Sequence, residues 1–358
     1  MPTSASIAQH RLHNQRLTGP KFTDPVAAVR WFGAVQAQDY AAAKWSLAQR
    51  MRAATDRSLD AAFDSGRILR THVMRPTWHF VTPEDIRWMQ ALTAARVRAS
   101  LGTYDRKLEL TPDVLKQARH ILTKALEGGR HLTRAELSAH LERGGITARG
   151  QRLAHLLAHA ELEALICSGP RRGKQFTYAL LDERAAAAPR LHHEEALATL
   201  ARRYFASHGP AQLQDFSWWS GLRLGDARES LELVKGELVS LELDGRTYWL
   251  APDSRPRRPS SPHALLLSIF DEYTIAYKDR RDIAAERVIE RLLTMGSALT
   301  AVMILDGRVV GTWKRNLLSR SAKLTLRPMG KLSRLARRAF AAEASRYERF
   351  LRVPVSLA

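Results

Sequence analysis

The sequence predicts an α+β protein in which three tandem winged-helix units are followed by a C-terminal β-rich domain. Amphipathic helices followed by a paired-strand pattern occur three times, and strand patterns dominate only after a proline-rich segment. We assign residues 1–110, 111–188 and 189–252 to the three units and residues 263–358 to the last domain.

The first unit combines helix signals with an extended stretch. Asp24-Pro25 is typical of a helix N-terminus, and residues 59–65 are a second predicted helix that Gly66 ends. Residues 68–81 are predicted to be extended, and Thr82-Pro83 is predicted to cap the next helix. This order is that of a winged helix, although its hairpin signals are weak.

The second unit has the clearest pattern. A capping box that begins at Thr133 opens a helix, Gly144-Gly145 ends it, and Thr147 is predicted to cap a second helix. Residues 165–168 and 175–180 are predicted strands joined by a turn. Helix, turn, helix and hairpin together describe a winged helix, and its second helix resembles a recognition helix.

Several lysines and arginines of the second unit lie on the predicted recognition helix and on the predicted wing, the two elements with which winged helices contact nucleic acid. The second helix leaves two arginines off its apolar stripe, and the turn at 169–174 is basic. This turn resembles a phosphate-binding loop but is one residue short and lacks the hydroxyl that would bind Mg²⁺, so we interpret it as a wing. The predicted DNA contacts here are Arg149, Arg152, Arg171, Arg172 and Lys174.

The third unit is predicted from breaks and turns. One helix ends near Gly209-Pro210, a second covers residues 212–219, and a third covers residues 226–237. Asp244-Gly245 then turns a hairpin. Residues 252–262 contain four prolines and are predicted to be a linker.

The last domain has a different pattern. Residues 263–278, 300–313 and 323–327 are predicted to form strands, and a helix is predicted from about 283 to 295. A terminal helix at 331–351 carries an apolar stripe and a basic face. This face fits a solvated surface and a DNA-contacting surface equally well.

The charge of the chain indicates a polyanionic partner. The 56 lysines and arginines exceed the 36 acids and give a formal net charge of +20. Residues 311–358 hold 12 of the cations and only two acids, so they supply half of the excess. A solubilising surface charge is the alternative interpretation.

Several other classes of protein are disfavoured. Cys167 is the single cysteine, which excludes an internal disulfide and a multi-cysteine zinc site. The sequence has neither the paired histidines of a zincin nor a serine nucleophile elbow, and we expect no metal and no cofactor. The longest apolar run is too short for a membrane helix. We expect a cytoplasmic, nucleoid-associated monomer that does not bind membranes.

Two glutamines separated by one small residue are the first candidate site. Gln36 and Gln38 would point away from each other on a continuous helix, so their amides can converge only at a helix end or in an extended segment. Convergence therefore predicts a helix break near Gln38. The alternative is a pair of surface glutamines on a long helix.

Residues 69–80 concentrate groups that contact phosphate or stack on bases. The arginines can pair with phosphates, and the aromatic rings offer flat faces to a nucleobase. A buried strand with internally bonded histidines is the alternative. The predicted DNA contacts here are Arg70, His72, Arg75, Trp78 and His79.

Acids are concentrated at residues 270–280. If this segment is a strand, Asp271 and Glu272 lie on opposite faces and cannot form an acid pair for general acid-base chemistry. Asp271 is then expected to brace the last domain together with Tyr273.

With these segments in view, the chain resembles the AlkZ/YcaQ family of winged-helix DNA glycosylases from about residue 7 to residue 350. The resembling motifs are AVQAQD at 34–39, RTHVMRPTWH at 70–79, DEYTIAYKDR at 271–280 and VGTWKR at 310–315. The family fold of tandem winged helices and a C-terminal β-rich domain agrees with the predicted division. Because the YcaQ branch has an acid in place of the second glutamine, this sequence looks closer to AlkZ.

The resemblance implies a monofunctional enzyme of base excision repair that hydrolyses N7-alkylated purine nucleotides in duplex DNA, in some members including interstrand crosslinks. The family's catalytic Gln-apolar-Gln element maps onto Gln36 and Gln38, with Ala37 between them. We expect one glutamine to orient a water and the other to stabilise the developing charge on the sugar. Asp39 is either a base or a helix cap.

Two alternatives to a glycosylase remain open at this point. Winged helices most often serve transcription regulators, so a non-catalytic DNA-binding regulator is one of them. A scaffold that binds RNA or crosslinks is the other.

Overall fold

The computed structural model describes residues 3–256, 262–294 and 300–358. The helices are α1 (Ser4–Asn14), α2 (Pro25–Phe32), α3 (Tyr40–Gln49), α4 (Asp56–Asp64), α5 (Ile86–Lys107), α6 (Pro112–Leu126), α7 (Arg134–Arg143), α8 (Gly150–Leu162), α9 (Leu181–Arg184), α10 (His193–His208), α11 (Leu213–Ser220), α12 (Leu224–Val234), α13 (Glu272–Ile275), α14 (Glu286–Thr294) and α15 (Arg334–Leu351).

The strands are β1 (Val35–Gln36), β2 (Leu69–Val73), β3 (Arg75–Val81), β4 (Leu132–Thr133), β5 (Ile166–Ser168), β6 (Thr177–Leu180), β7 (Val239–Leu243), β8 (Arg246–Leu250), β9 (Ala264–Leu267), β10 (Val302–Leu305), β11 (Arg308–Leu317), β12 (Ala322–Pro328) and β13 (Val355–Leu357). The predicted α+β class is confirmed, and so is the β-rich character of the C-terminal part. The number of winged helices and the division into four domains stay predictions.

The chain divides into two compact units. The first comprises Met1–Leu59, Ala198–Trp219 and Arg223–Ala358, and the second comprises Asp60–Leu197 with Ser220–Leu222. None of the helices in the described ranges is long and apolar enough to cross a membrane.

The first unit is built on a five-stranded sheet with the order β13-β12-β11-β10-β9. Its strands pair antiparallel except for β12 and β13, which are parallel. The Trp45 ring on α3 packs edge-on against Tyr347 of α15, with ring centroids 4.7 Å apart. The indole of Trp45 also donates to the main-chain carbonyl of Leu266 in β9 at 2.7 Å. Helices α3 and α15 are thereby fixed to the sheet.

The second unit contains the predicted helix-turn-helix and hairpin. The capping box at Thr133 is confirmed, α7 ends before Gly144, and β5 and β6 pair antiparallel. The predicted cap at Thr147 is wrong, because α8 begins at Gly150. The Ser138 hydroxyl donates to the main-chain carbonyl of Ala148 at 2.6 Å. This carbonyl therefore has a side-chain partner on α7 and precedes the first residue of α8.

The elements predicted for the third unit are also present. Helix α10 ends at His208, α11 and α12 follow, and β7 pairs with β8 across the Asp244-Gly245 turn. Both turn residues have positive φ, at 48° and 69°. Aspartate and glycine tolerate this conformation better than most residues, which explains their presence in the turn. Of the predicted linker at 252–262, residues 257–261 lie outside the described residues.

The predicted strand at 263–278 is correct only for Ala264–Leu267. Strand β9 ends at Leu267, Phe270 has a left-handed φ of 62°, and Asp271 caps the short helix α13. The carboxylate of Asp271 accepts the main-chain N–H of Tyr273 at 2.9 Å, which favours the helical turn over a strand. The predicted hairpin at Asp306-Gly307 is confirmed, and Met295, the predicted end of α14, lies outside the described residues.

Candidate active site

The glutamine segment lies between two helices of the first unit. Helix α2 ends at Phe32, Gly33 follows with a φ of 80°, and β1 holds Gln36 in an extended conformation. The predicted helix break is therefore confirmed. Strand β1 ends at Gln36, and Gln38 lies in the bend before α3, so convergence of the two amides stays a prediction. Gln36 is buried with 8% exposure, whereas Gln38 is exposed.

Asp39 is the N-cap of α3. Its carboxylate accepts the main-chain N–H of Ala42 at 2.9 Å, and Arg315 Nη2 lies 3.4 Å from the same oxygen. Arg315 also donates to the Tyr347 hydroxyl at 3.1 Å. The cap interpretation of Asp39 is thereby confirmed, and it fixes the point at which the extended segment becomes a helix.

Glu272 contacts the main chain of the glutamine segment from within the core. Its Oε1 accepts the Gln36 N–H at 2.9 Å, and its Oε2 accepts the Trp219 indole N–H at 2.9 Å. The side chain is 1% exposed. The prediction from sequence missed this residue because it placed Glu272 on a strand. The detectable signal was an acid within an apolar segment, since a buried carboxylate needs hydrogen-bond donors.

The neighbouring acid holds α3. Asp271 forms a bidentate pair with Arg50, both distances being 2.8 Å, and accepts the Ser46 hydroxyl at 2.7 Å. Arg50 also donates to Gln15 Oε1 at 2.8 Å. Asp271 therefore braces the first unit from a helix cap, whereas the sequence predicted a brace of the C-terminal domain from a strand.

A buried histidine lies beside Glu272. The Nε2 atom of His208 is 3.4 Å from Glu272 Oε2, and the ring stacks on Tyr204 with centroids 4.7 Å apart. Burial lowers the pKa of His208 below its usual value, although Glu272 opposes this effect. The imidazole is therefore neutral at pH 7.

The β2–β3 hairpin in the second unit carries the other predicted DNA contacts. His72 pairs with the buried carboxylate of Glu161 and packs on Trp78. His79 is fully buried, and its Nδ1 lies 2.9 Å from the Thr77 carbonyl. Burial holds the pKa of His79 well below its usual value. Both histidines match the alternative of internally bonded side chains, which argues against stacking of a base on His79.

The structure brings four of the predicted DNA contacts into one cleft of the second unit. The cleft has a volume of about 710 Å³. The guanidinium of Arg70 lies between the rings of Trp78 and Phe176, at 4.3 and 4.7 Å from their centroids. Arg149 and Lys174 line the same cleft and are exposed, although Arg149 also pairs with Glu142 at 2.8 Å. Cations and aromatic rings together are the groups that single-stranded and duplex DNA binders use.

The remaining predicted contacts have internal partners. Arg152 donates to the Leu108 carbonyl, and Arg75 Nη2 lies 3.3 Å from His79 Nε2. Arg171 pairs with Asp60 at 2.6 Å, and Arg172 pairs with Glu136 at 2.7 Å. Direct contact of these side chains with DNA stays a prediction.

The model of the AlkZ-like DNA glycosylase family matches residues 29–350. The chain belongs to this family. Among solved structures, the DNA glycosylase AlkZ of Streptomyces sahachiroi has the same fold, with a TM-score of 0.79 at 22% sequence identity over 100% of both chains. None of the curated protein sequences matches the chain significantly.

Family membership makes the chain a DNA glycosylase and a DNA-binding enzyme of DNA repair. It also decides against the non-catalytic regulator that the winged-helix pattern left open. A glycosylase must place polar groups at the bond between base and sugar. Within the first unit, the Gln36-Ala37-Gln38 segment between α2 and α3 carries two neutral amides, and their part in the reaction stays a prediction.

Proposed function

We propose that the enzyme hydrolyses the N-glycosidic bond of N7-alkylated purines in duplex DNA, including purines in interstrand crosslinks, and leaves an abasic site. The observation that carries this proposal is the Gln36-Ala37-Gln38 segment between α2 and α3, which has two amides where many hydrolases use an acid. The enzyme acts without metal or cofactor, as a cytoplasmic, nucleoid-associated monomer.

The chemistry suits neutral amides because the leaving base carries its own positive charge. An N7-alkylguanine is cationic, so cleavage of the bond between C1′ and N9 delivers the electron pair to the base and neutralises it. No general acid is needed for this step. The oxygen of a water molecule then bonds to C1′, and one proton of that water passes to solvent.

The two amides have separate roles in this proposal. The exposed Gln38 orients the water by accepting a hydrogen bond from it, and the carbonyl of Gln36 stabilises the developing oxocarbenium charge. Asp39 is occupied as the cap of α3, which supports the glutamines and not the aspartate as the reacting groups.

Lysine chemistry on the sugar is disfavoured. Lys44 on α3 pairs with Asp56 at 2.7 Å and its side chain is 4% exposed, so this amine is enclosed. Lys21 donates to the carbonyls of Arg16, Leu17 and Gln49 at 2.7 to 2.9 Å. Burial lowers the pKa of Lys21 to about 6, so it is the three carbonyl partners and not a positive charge that restrain this amine. The enclosure of both amines supports a monofunctional glycosylase that does not cut the strand.

The test is base release from duplex DNA that contains N7-methylguanine, and in parallel from an N7-linked interstrand crosslink. We expect release by the wild type and a loss of at least 100-fold in the single-turnover rate for Gln36→Ala and Gln38→Ala. Gln214→Ala, which removes an exposed glutamine of α11, is the matched control and should keep the wild-type rate. No release by the wild type from either DNA contradicts the proposed substrate, and unchanged rates in both glutamine variants contradict the proposed site.

A further inference from the structure

Glu272 has an unusual position for a charged side chain. It is 1% exposed and lies at the first residue of α13, inside the first unit. Within the described ranges no lysine or arginine forms an ion pair with it, and Arg50 pairs with the neighbouring Asp271. Its close partners are the N–H of Gln36, the indole of Trp219 and the neutral imidazole of His208.

We propose that Glu272 is a positioning residue for the glycosylase reaction. Its carboxylate accepts the main-chain N–H of Gln36 in the extended strand β1 and places a buried acid directly beside Gln36. This inference rests on the proposed roles of Gln36 and Gln38.

The hydrogen bond to Gln36 gives Glu272 control over the segment. The carboxylate of Glu272 is one of the groups that hold the main chain of Gln36 in β1. The bond from the Gln36 N–H has a normal length of 2.9 Å and is buried, which makes it resistant to competition from water. An anchored main chain keeps the catalytic amide in one geometry, and small displacements of such groups are costly for rate.

The charge of Glu272 adds an electrostatic effect. Two N–H groups donate to separate oxygens, which is the pattern of an ionised, acceptor-only carboxylate. A buried negative charge is weakly screened, so it stabilises positive charge that develops on a nearby sugar. It does so equally for every base that leaves, and therefore affects rate and not the choice of lesion.

Glu272→Gln tests both effects, because glutamine keeps the size of the side chain but removes its charge. Its single carbonyl oxygen can serve only one of the two N–H donors, and its NH₂ group opposes the other. Asp282→Asn is the matched control. Asp282 is equally buried in the same unit, where it accepts the Tyr248 hydroxyl at 3.1 Å and lies 3.4 Å from Arg11, away from the glutamine segment.

Three quantities are measured on wild type, Glu272→Gln and Asp282→Asn: the single-turnover rate on N7-methylguanine DNA, the Kd for the same duplex, and hydrogen exchange of the Gln36 amide. We expect Glu272→Gln to lose at least 10-fold in rate with a Kd within 2-fold, and its Gln36 amide to exchange at least 10-fold faster. Asp282→Asn should keep the rate and the exchange of Gln36, whatever its Tm.

The inference is overturned by a Glu272→Gln rate within 2-fold of wild type, or by unchanged exchange of the Gln36 amide. An equal loss of rate in folded Asp282→Asn overturns it too. If the wild type releases no N7-methylguanine, the proposed substrate fails, while the exchange data still decide the positioning role. If Glu272→Gln does not fold, hydrogen exchange of the wild type tests the positioning role. A Gln36 amide that exchanges as fast as an unprotected amide would contradict a stable hydrogen bond to Glu272.

Discussion

Asp39 follows Gln38 directly and is the acid closest in sequence to the proposed catalytic pair. Because it caps α3, Asp39→Asn should keep both the fold and the rate of base release, since asparagine is an equally good N-cap. Asp39→Ala should lower the free energy of unfolding by about 1 kcal/mol. Chemical denaturation and single-turnover assays measure the two quantities. A rate loss of 100-fold or more in Asp39→Asn would assign the base role to Asp39.

The residues of the site differ in how far sequence predicts them. Gln36 and Gln38 could converge only at a helix break, and that break is present. Glu272 could not be located from local sequence, because its partners Gln36 and Trp219 are 236 and 53 positions away. A residue that acts through a buried tertiary hydrogen bond leaves only its cost of burial as a signal.

The secondary-structure elements show the same limit. The hairpins at Asp244-Gly245 and Asp306-Gly307 and the capping box at Thr133 were predicted correctly, because each is specified by two to four adjacent residues. The end of β9 was missed because apolar residues continue into α13, where the left-handed Phe270 and the cap by Asp271 break the strand. Periodicity cannot separate buried strand from buried helix in such a run.

The β2–β3 hairpin should lose stability in weak acid. The pKa of His79 is held well below 6.5 in the folded state by burial, first, and by Arg75. The unfolded chain then binds a proton that the folded chain does not, so stability is lost as the pH falls below about 6.5, by up to about 1.4 kcal/mol per pH unit.

His79→Gln isolates this effect, because glutamine does not titrate. We expect the difference in Tm between wild type and His79→Gln to shrink or reverse as the pH falls from 7.5 to 5.5. Equal slopes of Tm against pH in the two proteins would show that His79 can be protonated within the folded hairpin.

At the scale of the whole molecule, the positive net charge determines how strongly the affinity for DNA depends on salt. The formal net charge of +20 predicts affinity that falls steeply with salt, because each phosphate contact releases counterions. Composition predicts this attraction without any structure. It does not reveal which cations reach DNA, since Arg171 and Lys174 look alike in the sequence of the wing, yet Arg171 is paired with Asp60 and Lys174 is exposed.

The salt dependence of binding separates these two cations. Lys174→Ala should lower the slope of log K against log salt concentration by about 1, as expected for one lost phosphate contact. Arg171→Gln should leave the slope unchanged, because its guanidinium is engaged within the protein at 2.6 Å. The measurement is fluorescence anisotropy with undamaged duplex DNA at several salt concentrations. A slope that changes for Arg171→Gln and not for Lys174→Ala would mean that the wing opens its internal ion pair when it binds.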